Sequence, residues 1–224
     1  MIGMATGTAA PFGAILLEDA WGTGIPIKYM VGLAGIFLWL FLLHVLKKSS
    51  LNFWRFLVGS VGAFLLLLFF LEPVLTQPLA RIVALLASIP GKIGGIYNAH
   101  YKYGVIFVES GGSAISLKID FECSGIIEII AYLSLLMFYR VYTVYERVYV
   151  GVLGVIAIVA ANALRIIVIC LFLYFGGIGM YYTAHTFVGR FVFYGLSVLI
   201  YFYVFTKPQI MKQKVGSFRY GDDK

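Results

Sequence analysis

Four uninterrupted apolar runs, at about 27–46, 53–75, 148–175 and 187–206, decide most of what this chain can become. Each is about 20 residues or longer, the length that carries a helix across a hydrocarbon layer about 30 Å thick. Backbone amides find no water in such a layer, so runs of this kind span it as helices. A fifth, shorter run at 124–139 is bounded by Cys123 and Arg140. With 62% hydrophobic and 12% charged residues among 224, the chain has more apolar surface than a soluble core can hide. The expected fold is an all-α polytopic membrane protein with about five transmembrane helices. It forms a single integral membrane domain over 1–206, followed by a polar, basic tail at 207–224 without fixed structure.

Charge orients the bundle. Lys47, Lys48 and Arg55 fill the first connection, Arg140 and Arg147 the third, and five basic residues the tail from Lys207 to Lys224. Lysine and arginine hold helix ends at the cytoplasmic face. Residues 1–26 carry Glu18 and Asp19 but no lysine or arginine. The N-terminus is therefore expected outside, the C-terminus inside, and segments 76–122 and 176–186 on the exterior. The Gly- and Pro-containing stretch 1–17 is a poor helix, with an additional partial span as the alternative. The net charge of +7 belongs to this pattern and not to nucleic-acid binding. The N-terminus carries no charged region ahead of an apolar run, so no removable signal peptide is expected.

The exterior segment changes period along its length. Pro78 to Ile89 is amphipathic and reads as an interfacial helix with Arg81 toward water. Tyr103 to Glu109 and Ser113 to Phe121, flanking Ser110-Gly111-Gly112, read as a small extracytoplasmic β-hairpin. The hairpin leads to Cys123 at the start of the third helix.

Ionisable residues within spans are costly and default to functional candidates facing the bundle interior. Glu128, Arg165 and Arg190 qualify, and His185 stands at an outer helix start. Three segments thus bring a thiol, a guanidinium and an imidazole to one side of the membrane. That set matches attack on a carbonyl: a nucleophile, a proton carrier, and a fixed cation favouring thiolate or oxyanion. A helix N-terminus and a nearby cation, Arg165 or Arg190, are expected to lower the Cys123 pKa. Arg165 lies about ten residues, or about 15 Å, from the outer end of its helix, too deep for a surface anchor. It needs a partner, and Asn162, three residues earlier, and Glu128 are the candidates. Either the site is a cleft dipping into the outer leaflet, or Arg165 snorkels upward.

Each residue has a structural alternative: Cys123 and Cys170 as small buried hydrophobes, His185 as an interfacial side chain, and Glu128 with Arg165 as a buried ion pair. No metal-ligand spacing, P-loop or Gly-x-Ser-x-Gly elbow is present. No metal or cofactor is expected.

Cys123-Ser124-Gly125 opening a helix, Asn162-Ala163-Leu164-Arg165-Ile166 in the next, and His185 before the last resemble the exosortase and archaeosortase family of membrane cysteine transpeptidases. The resemblance covers roughly 120–206, and the compact size looks more like the small Gram-positive subtypes. It implies an enzyme of the prokaryotic cell membrane acting on exported proteins with a C-terminal sorting signal that includes a transmembrane helix. It implies Cys123 as nucleophile, Arg165 as stabilising cation and His185 as proton-transfer residue, with Ser124, Gly125, Asn162, Arg190 and Glu128 supporting the site or the substrate. The alternative of another class is a non-enzymatic transporter subunit or lipid-binding scaffold, with Arg165, Glu128 and Arg190 lining a solute path. A lipid or glycan transferase would use the same pocket without needing the thiol.

Overall fold

The computed structural model describes residues 27–49, 51–110 and 113–216. The stretch 1–17, the acidic pair Glu18 and Asp19, the hairpin glycines Gly111 and Gly112, and the tail beyond 216 lie outside the described residues. The chain divides into two compact units, Met1–Gly62 and Ala63–Lys224. Among the described residues, four helices are long and apolar enough to cross a membrane by length and composition. The protein is a multi-pass, largely helical membrane protein with a small sheet.

In the first unit, helix α1 (Ile27–Lys48) ends on Lys47 and Lys48, cations that suit the negative end of the helix dipole. The start of helix α2 (Asn52–Gly94) turns back along it. Trp39 Nε1 donates to the Val58 carbonyl at 3.0 Å. Gly62 makes room for the indole, since a Cβ there would sit 2.1 Å from the ring.

Helix α2 is longer than the sequence suggests. Its 43 residues run through Pro73, Pro78 and Pro90, a length of about 65 Å at the standard rise. The interfacial helix expected at Pro78–Ile89 is helical, but it continues α2. A proline removes one hydrogen bond, which neighbouring groups can replace. Between Pro73 and Pro78 the Thr76 hydroxyl donates to the Glu72 carbonyl at 2.7 Å.

The sheet has three strands where a hairpin was expected. β1 (Tyr97–His100), β2 (Val105–Ser110) and β3 (Ser113–Lys118) form an antiparallel meander. Register pairs Tyr97 with Val108 and Val108 with Ile115, Ala99 with Ile106 and Ile106 with Leu117. Tyr97, Ile106, Val108, Ile115 and Leu117 therefore share one buried face, as the two-residue strand period requires. That face packs on Ala80, Val83, Ala84 and Ala87 of α2 and on Ile166, Ile169, Cys170 and Leu173 of helix α4 (Val144–Gly176). The apolar stripe expected to lie on lipid instead carries the sheet.

The fifth expected span, 124–139, is the short helix α3 (Ile126–Phe138), 13 residues long. At about 20 Å it falls short of a hydrocarbon core. It packs through Ile129, Tyr132 and Leu136 against Ile158 and Ala161 of α4 and Phe193 of helix α5 (Gly189–Tyr201). At the end remote from the sheet, the Tyr139 and Tyr142 hydroxyls donate to the Phe205 and Val204 carbonyls. These carbonyls belong to a π-helical turn, Phe202–Thr206, that follows α5. Residues Lys207–Gly216 continue as helix α6, so the first part of the tail expected to lack structure is helical.

Tyr132 is fully buried, and its hydroxyl donates to the Val150 carbonyl at 2.8 Å. A Cβ on Gly154 would lie 2.2 Å from that ring. Gly154→Ala is expected to lower the unfolding midpoint of the detergent-solubilised protein, at a cost of about 1–3 kcal/mol for overpacking.

Candidate active site

The site begins with a break in the main chain. After β3, Phe121–Cys123 forms a single 3₁₀ turn. Gly125 then adopts φ 79°, and α3 starts at the next residue. Glycine reaches this left-handed conformation without penalty. It is also the residue that fits, because a Cβ would stand 3.2 Å from Asn162 Nδ2. Ser124, fully buried, stitches the turn: its hydroxyl donates to the Phe121 carbonyl at 2.9 Å and accepts from the Ile126 amide at 3.4 Å.

Cys123 is buried, and its carbonyl precedes α3, outside any helical hydrogen-bond ladder. A buried carbonyl without a donor costs about 1–3 kcal/mol. Asn162 of α4 supplies the donor, Nδ2 to oxygen at 2.6 Å. One turn further along α4, Arg165 points Nη2 at Cys123 Sγ, 3.9 Å away. Arg165 is only 5% exposed, and its guanidinium carbon lies 5.7 Å from the centre of the Phe193 ring, within cation–π range.

His185 comes from a third element, the π-helical turn Thr183–Val188 that leads into α5. Such turns widen a helix locally and recur at functional positions. The ring places Nε2 4.0 Å from Cys123 Sγ. Its other face is steadied by Tyr181, stacked at 5.7 Å with planes 8° apart. Among the described residues, His185 Nδ1, Asn162 Oδ1 and Arg165 Nε are buried without a hydrogen-bond partner. No carboxylate among these residues therefore orients the imidazole through Nδ1.

Burial pushes the Cys123 thiol up to about 11; Arg165 opposes that rise, and Asp120, which also hydrogen-bonds the thiol, and Glu122 add to it. The expected lowering of the thiol pKa is overturned. The cation is present, but desolvation outweighs it. The resting thiol is protonated at neutral pH.

Arg190 pairs with Glu122 at 3.7 Å, both side chains well exposed, a contact worth about 0–1 kcal/mol. Glu128, in the first turn of α3, forms no ion pair with Arg165 among the described residues. The Asn162 amide is engaged by the Cys123 carbonyl and not by Arg165. Cys170, fully buried, packs beneath the sheet. Three neighbours were not anticipated. Phe193 and Tyr181 carried a usable signal, being aromatic residues eight after and four before His185 on helix-forming sequence. Asp120 carried none beyond its nearness to Cys123.

In chemical terms the arrangement offers a thiol with an imidazole and a guanidinium on its sulfur, sheltered from bulk water and placed where a carbonyl carbon could approach. A family model described as transmembrane exosortase matches residues 4–203. No curated protein and no solved structure matches the chain.

Proposed function

The chain belongs to the transmembrane exosortase family, and from that premise we propose that it is a membrane-embedded cysteine protease and transpeptidase. Its substrates are exported proteins bearing a C-terminal sorting signal that includes a transmembrane helix. It cleaves that signal near the outer face through a thioester on Cys123. The supporting observation is the convergence of Cys123 Sγ, Arg165 Nη2 and His185 Nε2, drawn from three separate elements to within 4.0 Å of the sulfur.

The chemistry follows from the protonated thiol. As Sγ attacks the scissile carbonyl carbon, its proton passes to His185 Nε2, and the Arg165 guanidinium holds the developing oxyanion. The intermediate collapses with loss of the C–N bond, and the imidazolium returns the proton to the leaving amine. The thioester is then attacked by an acceptor amine or by water, which yields its proton to His185, and the thiol is regenerated. Arg165 acts on charge that appears only during the reaction, so a raised resting thiol pKa is compatible with this role.

The basic residues at Lys47–Lys48, Arg140–Arg147 and Lys207 support a cytoplasmic location for those connections and an exterior one for the thiol. Arg165 lies 11 residues before Gly176, about 17 Å down α4. At about 20 Å, α3 is too short to carry its start across a full hydrocarbon core, which favours a cleft dipping into the outer leaflet over a snorkelling Arg165.

The test is an acyl adduct on Cys123, detected by peptide mass in membranes that are processing substrate and removed by neutral hydroxylamine. Processing without such an adduct overturns the thioester. The pH dependence is a second expectation. Alkylation of Cys123 should climb about tenfold per pH unit toward 11, because only the thiolate reacts and burial has raised its pKa. At neutral pH it should be slower than an exposed thiol with a pKa near 8.5.

A further inference from the structure

We infer that Asn162 is a positioning residue for the nucleophile: by holding the Cys123 carbonyl, its amide fixes Sγ between Arg165 and His185. This deepens the thioester reading and rests on it for turnover, although the position of the thiol can be measured without any substrate.

The contact has few substitutes. Gly125 turns the chain left-handed, at φ 79°, so the Cys123 carbonyl faces α4 and does not continue up α3. Among the described residues the donor on that oxygen is Asn162 Nδ2, 2.6 Å away and 39 residues along the chain. The amide orientation is fixed by chemistry, since the flipped form would set two acceptor oxygens against each other. Asn162 is 1% exposed, which leaves it no role on the surface.

The spacing gives the contact its consequence. Asn162 and Arg165 stand three residues apart on one face of α4. One grips the backbone of Cys123 while the other reaches its sulfur. The distance from thiol to guanidinium is therefore set by the rise of a single rigid helix. Without the amide, Cys123 is held by its turn alone, and the sulfur is free to leave the cation.

The test is a double-mutant cycle on the full chain in detergent, read as the pH profile of iodoacetamide alkylation at Cys123, with peptide mass separating it from Cys170. Arg165→Ala should move the profile in the wild-type background. In an Asn162→Ala background it should move it no further, because the amide is what couples cation to sulfur. Additive shifts overturn the inference. Should Asn162→Ala fail to accumulate, Asn162→Asp, which keeps the shape and while ionised lacks the donor, runs the same cycle. In processing assays Asn162→Ala should lower kcat roughly 100-fold, the scale of an ångström's misplacement, with KM within about threefold. A rise confined to KM also overturns it. If processing proves independent of Cys123, the proposed function falls while the coupling can still be measured.

Discussion

Cys123→Ala is expected to abolish processing while the protein still inserts and accumulates. The side chain lost is small, and it lies at the edge of a buried cluster whose larger members are Val83, Ile106, Val108, Ile169 and Leu173. Its backbone tie to Asn162 runs through the carbonyl and survives the change. Stability should therefore fall little, and processing should drop to background, since no other thiol reaches the imidazole. Cys170 is fully buried within the cluster beneath the sheet. The measurement is the amount of uncleaved exported protein in cells carrying wild-type or variant enzyme at matched levels. Normal processing by Cys123→Ala would sink the proposal and return the chain to the class of non-enzymatic membrane scaffolds. A lipid or glycan transferase using the same pocket would likewise be indifferent to this thiol.

Arg165→Lys is expected to lose roughly 10²- to 10³-fold in kcat/KM, the scale seen when one oxyanion donor is removed. The charge is kept, yet the planar fork is lost. The guanidinium here lies along the Phe193 ring and reaches Sγ from one terminal nitrogen. An ammonium on a shorter, flexible stem cannot meet both. Arg165→Ala should be at least as severe. If lysine retained most of the activity, the residue would be a bulk charge and the geometric role would be wrong. His185→Ala should also be inactive, with the thiol still alkylated at high pH.

Much of this was legible because polar residues in apolar runs are few. Arg165 and His185 stood out against sequence that lipid would otherwise claim, and the structure brings both to the sulfur of Cys123. What stayed hidden were partners. The spacing of Asn162 and Arg165 gave a shared helix face correctly, but the amide's partner came from 39 residues away, beyond any local pattern. The thiol pKa was misread for a similar reason. A neighbouring cation can be counted in sequence, whereas desolvation depends on what closes over the site. The run 53–75 and the stretch Pro78–Ile89 read as separate segments, and the structure joins them in α2. β1 alternates apolar and polar, but at four residues it was too short to be told from a loop. The shortness of α3 was visible in its boundaries, but its packing against α4 and α5 was not.

That short helix has a further consequence for the peptide to be cut. Inside a bilayer a scissile bond within a helix is guarded by its own hydrogen bonds, and unwinding it in lipid strands several polar groups. Irregular backbone is tolerated at that depth only where protein surrounds it. By stopping about 10 Å short of a full crossing, α3 gives its place to the turn at Phe121–Gly125, which is not α-helical and in which Cys123, Ser124 and Gly125 are buried. The protein thus keeps, at the mouth of α3, a small protein-lined region where irregular backbone is already at home. A substrate helix meeting the sulfur there could lose its last turn without exposing it to lipid.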